Sequence, residues 1–389
     1  MPHHPPYCGD LFPNCTVPAR VSPSSGPPPF EWRLVPQRGA TAHGKCPSGG
    51  SFVSLISNDL FLDAALCLPK QLQQHGSTCP FALVYDADFV SRPALDSLKR
   101  AHVRVLPLQS HIQRAEETIR RVQGMPLAPK NARARHLAGR LTSNTSFAKL
   151  HRSSLTVAML HKVWMWALPP SEFPMACFID LDVLVRSNLD PLLDATTVFR
   201  RHHSGFGALT TSHTRASVSV AAVSALGCTH GANVFNSALF VFRPSMAQLE
   251  ALLLRDRSFD RVGQACEVIF TDQSLMNAEF RGGCLNYGTR GHDACRDVEW
   301  ARLPLSYNVN VQLYIALPEA LKRGLDVAVI HFAGKYAKPW LPLAPLAPGA
   351  NRSTERARER RVRHEWQRLC GPRSRAPAIG VESATAALA

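Results

Sequence analysis

Short apolar runs alternate with helical patterns in the first third of the chain. Residues 52–56 form an apolar run of strand length, and the following segment, 60–74, places its leucines and alanines on one helical face. The same alternation predicts strands at 81–85 and 103–106 and a helix at 93–101. Strands that are apolar on both faces and alternate with helices are typical of a buried, largely parallel sheet. The pattern therefore predicts an α/β fold with a mostly parallel central sheet flanked by helices.

The alternation is interrupted at residues 108–150 and then resumes. The interrupting segment is basic and contains proline and glycine, and we interpret it as an insertion. The elements predicted after it are helices at 154–168, 246–255 and 272–280 and strands at 176–179, 206–210, 234–242 and 327–331. The predicted domain thus continues to about residue 345.

Both ends of the chain differ in composition from this domain. Ten of the 30 prolines lie within residues 2–36, a density that neither helix nor sheet tolerates. Beyond residue 348 the chain has an arginine-rich helix candidate at 353–369, followed by an alanine- and serine-rich tail. We therefore divide the chain into a disordered segment at 1–45, a domain at 48–345, and an Arg-rich helix with a disordered tail at 349–389.

Composition excludes two classes of protein. The 389 residues are 45% hydrophobic, which is too apolar for a wholly disordered chain. No apolar run approaches the roughly eighteen residues of a membrane-spanning helix. The N-terminus has neither the basic nor the apolar region of a signal peptide. We therefore expect a soluble protein, with the cytoplasm favoured and the Golgi as the alternative if the N-terminus is incomplete.

The formal net charge of +15 is concentrated in two segments. Residues 110–152 hold nine Lys and Arg against two Glu, a net of +7, and residues 350–375 hold nine Arg against three Glu, a net of +6. These segments supply 13 of the 15 charges, so the rest of the chain is nearly neutral. A nucleic-acid-binding fold usually carries its charge on its own working face. We interpret both segments as solvated appendages and expect no nucleic-acid partner.

Cysteines and sequons add little to this picture. The chain has 11 cysteines at irregular spacing and no C-x-x-C pair. That pattern predicts neither a disulfide framework nor a zinc module. Three N-x-S/T sequons lie at Asn14, Asn144 and Asn351, in segments predicted to be loops or tails.

The first candidate for chemistry is the sequence ACFIDLDVLVRSNLD at residues 176–190, in which a buried strand ends in two carboxylates. The carboxyl ends of parallel strands border the ligand crevice of α/β folds. Side chains two apart on extended backbone point the same way, so Asp180 and Asp182 can converge on one ion. Hard oxygen ligands suit Mg²⁺ or Mn²⁺. Two solvated carboxylates at a strand end are the alternative for such a short motif.

A second strand, in VIHFAGKYAKPW at residues 329–340, ends in His331 and is followed by glycine and lysine. A neutral imidazole could complete a carboxylate metal site. Gly334 would let backbone approach a phosphate closely, and Lys338 offers it a positive charge. The alternative is a core histidine followed by surface lysines.

Polar residues in two further motifs suggest sugar contacts. Asn236 and Ser237 interrupt the apolar strand of GANVFNSALFVFRPS, and buried polar groups need partners such as a sugar hydroxyl or a neighbouring backbone group. In FTDQSLMNAEF, Asp272 and Gln273 begin a predicted helix, with Thr271 as a good N-cap. An acidic residue in a first helical turn also has an ordinary stabilising role.

Taken in order, these motifs resemble glycosyltransferase family 8, the glycogenin-like retaining transferases with a GT-A fold. The resemblance covers about residues 51–340. It runs through FVSLISND, the helix with Lys162, D-L-D, FNSALFVFRPS, TDQSLMN, LPLSYNV and HFAGKYAKPW. It implies a nucleotide-sugar domain that uses a UDP-sugar as donor and Mn²⁺, or alternatively Mg²⁺, as its ion.

The resemblance also implies roles for individual residues. Asp180, Asp182 and His331 match the metal ligands. The residues that match the uracil- and ribose-binding loop are Leu55, Ser57, Asn58 and Phe61, the last of which stands where glycogenins have a tyrosine against the base. Lys162 matches the lysine that contacts the donor phosphate or sugar. The residues that match the donor-sugar contacts are Asn236, Ser237, Asp272 and Gln273, and those that match the pyrophosphate contacts are Gly334 and Lys338.

The chain departs from the family pattern in two places. Ala238 replaces the glycine that commonly follows Asn-Ser, which would narrow the sugar pocket. The spacing from His331 to Lys338 is one residue longer than in glycogenin and closer to that of galactinol synthases, so Lys335 could share the pyrophosphate contact. The catalytic residues implied are Asp272, Gln273 and Lys162, with Asp272 as nucleophile only if the reaction is a double displacement rather than a front-face attack.

The acceptor and the assembly are left open. A hydroxyl of a glycan, polyol, lipid or protein fits the family, and a homodimer is one expectation. Tyr314 lies near the position at which glycogenins glucosylate themselves, although a packed tyrosine is the commoner explanation. The alternative function is a non-catalytic, transferase-like protein that binds nucleic acid or an anionic surface through its basic segments.

Overall fold

The computed structural model describes part of the 389-residue chain. The described residues are 46–110, 161–194, 198, 220–224, 235–255, 272, 273, 276, 280, 301–317, 322, 326–333, 338–340 and 353–371. The predicted disordered segment 1–45, most of the 108–150 insertion, the strand at 206–210, Gly334, Lys335 and the tail after 371 lie outside them. Within the described residues, no helix is both long enough and apolar enough to cross a membrane.

Strands and helices alternate along the described chain. The strands are β1 (Ser51–Ile56), β2 (Phe81–Tyr85), β3 (Arg104–Pro107), β4 (Ala176–Ile179), β5 (Val183–Val185), β6 (Val220–Ser224), β7 (Phe235–Phe242), β8 (Ala301–Leu303), β9 (Val309–Asn310) and β10 (Val329–His331). The α-helices are α1 (Leu62–Gln74), α2 (Arg92–Arg100), α3 (Met246–Arg255), α4 (Val311–Ala316) and α5 (Ser353–Cys370). A 3₁₀ helix occupies His161–Ala167.

The central sheet has seven strands in the order β3-β2-β1-β4-β7-β6-β8. β1 lies between β2 and β4 and is parallel to both, and β3 is parallel to β2. β7 is antiparallel to β4 and β6, whereas β8 is parallel to β6. The predicted α/β fold with a mostly parallel sheet is thus confirmed.

A smaller sheet stands beside the first and has the order β5-β10-β9. β10 is antiparallel to β5 and parallel to β9. The chain passes from β4 in the large sheet to β5 in the small one through residues 180–182. The D-L-D motif is therefore the connection between the two sheets.

Core side chains fill both faces of the large sheet, as expected for strands that are apolar throughout. On β1, Phe52 and Ile56 pack into one cluster with α1 and the small sheet, while Val53 packs into the other. In that second cluster Phe240 stacks on Phe178 and Trp166, at centroid distances of 5.1 and 5.3 Å. Phe178 is itself on β4, two residues before Asp180, and Lys162 Nζ lies 5.3 Å from the centroid of its ring.

Helix α5 packs on the domain rather than standing in solvent. Val362 and Trp366 are buried, and a disulfide joins Cys370 to Cys67 of α1. The expectation of a solvated arginine-rich segment is therefore wrong for one face of this helix. Charge counting missed that face because only a few apolar residues, four residues apart, define it.

A second disulfide joins Cys46 to Cys79. The sequence indicated no disulfide framework, and the two bonds correct that expectation. Their partners are 33 and 303 residues apart, and spacing alone cannot pair cysteines over such separations. Among the described cysteines Cys177, in β4, is free and buried.

Most predicted elements in the described region agree with the structure to within two residues at each end. The helix predicted at 60–74 begins with a 3₁₀ turn at Asp59–Phe61, which Asn58 caps by accepting a hydrogen bond from the Leu60 amide at 3.0 Å. The described part of the helix predicted at 154–168 is the 3₁₀ helix His161–Ala167. The candidate site residues lie at the ends of these elements.

Candidate active site

Backbone hydrogen bonds hold the acidic pair at the junction of the two sheets. The Asp180 amide donates to the carbonyl of Ala238 on β7 at 2.8 Å. The carbonyl of Asp182 accepts from the Phe332 amide, just after β10, also at 2.8 Å. The backbone of each aspartate is therefore held by a different neighbouring segment.

Asp180, Asp182 and His331 form a cluster in which one ligand atom from each lies within 4.8 Å of the others. The antiparallel pairing of β10 with β5 sets His331 opposite Val183, next to Asp182. The distance from His331 Nε2 to Asp182 Oδ2 is 3.5 Å, and both side chains are more than nine-tenths buried. Two carboxylates and an imidazole suit a divalent cation such as Mn²⁺, so the residues present fit the ion that the resemblance implied.

Lys162, in the 3₁₀ helix, connects this cluster to a third carboxylate. Its Nζ lies 2.8 Å from Asp180 Oδ1 and 3.4 Å from Asp272 Oδ2, and Asp272 is buried. Burial alone would lower the pKa of Lys162, but the charges of Asp180 and Asp272 outweigh burial and raise the pKa above its ordinary value. Lys162 therefore stays protonated. The structure brings it next to Asp272, which is 110 positions further along the chain.

The two carboxylates of D-L-D differ in their electrostatic environment. Burial alone would raise the pKa of Asp182, but Lys338 and His331 hold that pKa well below its usual range. Burial raises the pKa of Asp180, the charge of Asp182 adds to this effect, and Lys162 opposes it without reversing it. Like charges this close disfavour one another, and a bound cation would favour the charged form of both.

Lys338 contacts the cluster at Asp182, whereas Lys162 contacts it at Asp180. Its amine makes an ion pair with the Asp182 carboxylate and donates to the Phe332 carbonyl at 3.3 Å. Two lysines thus border the metal cluster, one at each carboxylate. Both ammonium groups are available as donors to an anionic ligand at this junction.

The polar residues of β7 have protein partners. Asn236 Oδ1 accepts from the Ala238 amide at 2.8 Å, and the Ser237 amide donates to Gln273 Oε1 at 3.4 Å. Gln273 follows Asp272, so the contact joins the start of that segment to the strand beside D-L-D. The side chains predicted to line the donor sugar therefore lie at the same end of the sheet as Asp180.

The residues predicted to contact uracil and ribose lie at the end of β1 and in the turn after it. Leu55 and Ser57 are half-buried, and Asn58 caps the turn. The Phe61 ring packs edge-on against Trp340, with centroids 5.4 Å apart and an angle of 68° between the planes. Because β1 is adjacent to β4, this turn borders the same sheet edge as the metal cluster.

Tyr314, the candidate for self-glycosylation, is already engaged by the protein. Its hydroxyl accepts from Arg186 Nη1 at 3.0 Å, and Arg186 and Lys322 lie over its ring at 5.7 and 5.0 Å. These contacts agree with the packed tyrosine that the sequence left as an alternative. The role of Tyr314 as an acceptor stays a prediction.

Sequence reasoning did not single out a polar group at the end of β2. Asp86 is buried, accepts from Gln109 Nε2 at 2.8 Å, and has its Oδ2 3.1 Å from Nδ1 of His161, the neighbour of Lys162. Burial alone would raise the pKa of Asp86, but hydrogen bonds from His161, the Asp88 amide and Gln109 lower it. The signal was an aspartate directly after an apolar strand, the same signal that marked Asp180.

Comparison with known proteins bears on this site. The model of glycosyl transferase family 8 matches residues 52–344. Mouse glycogenin-1 is 24% identical over 294 residues, which are 75% of this chain and 65% of that protein. Human glycogenin-2 is 26% identical over 309 residues, which are 78% of this chain and 46% of that protein. The chain thus spans less than two thirds of the length of these relatives.

Solved structures also align over most of the chain. The galactosyltransferase LgtC, in complex with donor and acceptor sugar analogues, covers 84% of this chain and 97% of its own, with a TM-score of 0.45 and 14% identity. Mouse xyloside xylosyltransferase 1 covers 75% of this chain and 99% of its own, with a TM-score of 0.39 and 11% identity. Since the family model matches three quarters of the sequence, the chain belongs to glycosyltransferase family 8.

Proposed function

We propose that the protein is a metal-dependent retaining glycosyltransferase that moves a glucosyl or related hexosyl group from a UDP-sugar to a hydroxyl acceptor. The observation that carries this proposal is the convergence of Asp180, Asp182 and His331, with the buried Lys162 paired to Asp180 and the half-buried Lys338 paired to Asp182. A buried cluster of this kind is costly unless its charges are paired. Family membership gives the reaction class, and the cluster supports the location that we propose for the donor site.

Asp180, Asp182 and His331 would hold the metal ion, for which we propose Mn²⁺ with Mg²⁺ as the alternative. When bound, the ion neutralises negative charge that develops on the leaving pyrophosphate. The protein's part is to supply two carboxylates from the connection between the sheets and an imidazole from β10, on backbone that hydrogen bonds to neighbouring segments hold in place. Rigid elements of this type hold a ligand set without reorganisation.

The two lysines add fixed positive charge to the same place. Lys162 stays protonated and lies between Asp180 and Asp272, where it would donate to the donor phosphate or the donor sugar. Lys338 would donate to the pyrophosphate together with Gly334, which lies outside the described residues. Charge-assisted hydrogen bonds of this kind are about twice as strong as neutral ones.

Retention of configuration allows two routes. In a front-face route the acceptor oxygen bonds to the anomeric carbon on the side from which UDP leaves, and the leaving phosphate oxygen takes the acceptor proton. In a double displacement a carboxylate first displaces UDP and the acceptor then displaces the carboxylate. Asp272 is the carboxylate that we assign to the second route, with Gln273 as its neutral neighbour. The Lys162 ammonium lies 3.4 Å from Oδ2 of this carboxylate.

Thermal unfolding with UDP and Mn²⁺, added separately and together, tests the proposal. A specific site filled to 100 times its dissociation constant adds about 2.7 kcal/mol to the free energy of unfolding, so the melting temperature should rise when both ligands are present. Asp180→Asn should abolish the rise. Asp96→Asn, a change at an exposed aspartate on α2, should leave it intact.

A rise in melting temperature that needs both ligands would justify a screen of UDP-sugars for slow hydrolysis, which identifies the donor without knowledge of the acceptor. No rise with either ligand, in wild-type protein that is folded, would contradict the proposed donor site. The basic segments would then be the remaining place to look for function.

A further inference from the structure

Helix α5 lies beyond the family match, which ends at residue 344, yet it contributes a buried charge to the domain. Arg363 is 4% exposed. Burial of a guanidinium is unfavourable unless its donors find acceptors. The hydrogen-bond acceptors of Arg363 therefore identify which part of the domain α5 holds.

The guanidinium of Arg363 bridges α5 and the segment that carries Lys338. Nη1 donates to the backbone carbonyl of Lys338 at 2.8 Å. Nε and Nη2 lie 3.0 and 2.9 Å from Glu359 Oε1, one turn earlier on the same helix. Glu359 thus orients the planar guanidinium, and the third nitrogen, Nη1, reaches the Lys338 carbonyl.

A second contact joins the same two segments on the other side of Pro339. The Trp366 ring of α5 packs on the Trp340 ring with centroids 5.8 Å apart, and Trp340 in turn contacts Phe61. The backbone carbonyl before Pro339 and the side chain after it are therefore contacted by Arg363 and Trp366, about one turn apart on α5. The disulfide from Cys370 to α1 fixes the end of that helix.

We propose that Arg363 is a positioning residue for the donor site: by holding the carbonyl of Lys338 it aims the Lys338 ammonium at the metal cluster and the pyrophosphate. The inference rests on the proposed function, because it assigns Lys338 to the donor. Lys338 reaches the Asp182 carboxylate from the backbone that Arg363 holds. Helix α5, which lies outside the family match, thus supports the proposed site through the Lys338 backbone.

A double-mutant cycle on UDP affinity in the presence of Mn²⁺ tests this role, since it separates residues that act through one another from residues that act independently. Isothermal titration of Arg363→Met should show UDP affinity lowered about tenfold, the lower end of the range for residues that orient a ligand-binding group. The same loss should be absent when Arg363→Met is added to Lys338→Ala. The control is Arg361→Met, at an exposed position of the same helix, which should bind UDP like the wild type.

The outcomes separate this inference from the proposed function. No UDP binding to folded wild-type protein would overturn the proposed function and this inference with it. UDP binding that Lys338→Ala weakens and Arg363→Met does not, or losses that add in the double variant, would overturn the inference alone. If Arg363→Met does not fold, Arg363→Lys replaces it in the cycle. Lysine keeps a charge beside Glu359 but lacks the guanidinium nitrogen that donates to the Lys338 carbonyl. The same three outcomes then apply.

Discussion

At the scale of single residues, Lys162 is the charge that allows carboxylates from distant parts of the chain to share one buried region. Its Nζ lies within 3.4 Å of oxygens of both Asp180 and Asp272. Without it, those carboxylates would face one another and Asp182 with little water to screen them. Lys162 therefore has a structural role even before any donor is bound.

We expect Lys162→Met to lower the free energy of unfolding of the metal-free protein by about 3–5 kcal/mol, the usual cost of removing one partner of a buried ion pair. Urea unfolding in the presence of a chelator measures this change. Arg92→Met is the control, since it breaks the exposed Arg92–Asp96 pair and should cost less than about 1 kcal/mol. Equal losses in the two variants would show that Lys162 is not needed to pair these carboxylates.

Sequence reasoning identified most side chains of this site but not the contacts between them. Asp180 and Asp182 were identified because they follow a buried strand and because side chains two residues apart on extended backbone point the same way. His331 was a candidate because it ends a buried strand, and the resemblance assigned both His331 and Lys162 to the site. Nothing local shows that β10 pairs with β5 or that Lys162 approaches Asp272. Contacts between distant segments depend on tertiary packing, which a local pattern does not encode.

At the scale of elements, Asp86 joins the ends of three of them. It follows β2, accepts from Gln109 just after β3, and contacts His161 at the start of the 3₁₀ helix that carries Lys162. An aspartate after a strand is also an ordinary turn residue, which is why sequence alone did not distinguish it. The structure makes it the link between the sheet edge and the lysine.

The lowered pKa of Asp86 predicts a pH-dependent contribution to stability. A carboxyl with a depressed folded pKa stabilises the protein fully above its unfolded pKa of about 4 and loses this contribution as pH falls through the folded value. The difference in unfolding free energy between wild type and Asp86→Asn should therefore be constant from pH 7 to about 5 and shrink below about 4. Urea unfolding across that range measures it, and a difference that grows as pH falls would contradict the assignment.

At the scale of the whole molecule, the site is built from segments that are far apart in sequence and meet at the junction of two sheets. Periodicity predicted five of the seven strands of the large sheet and most of its helices, because buried strands of this kind are apolar on both faces, but it did not predict β6 or β8. It did not predict that β4 leads into a second sheet, nor that α5 packs its apolar and arginine side chains against the domain. Three-residue strands and a mostly charged helix give too weak a local signal for either prediction.

The bond between Cys67 and Cys370 has a consequence for where the protein is made. Disulfides form and persist in oxidising compartments and are rare where glutathione keeps thiols reduced. We therefore expect the chain to fold in the lumen of the secretory pathway, which favours the Golgi over the cytoplasm. Alkylation before reduction, followed by peptide mass mapping, should leave Cys67 and Cys370 unlabelled in natively expressed protein, and labelled thiols at both would contradict this expectation. For the proposed transferase, a lumenal location would place the candidate acceptors among the glycans, lipids and proteins of that compartment.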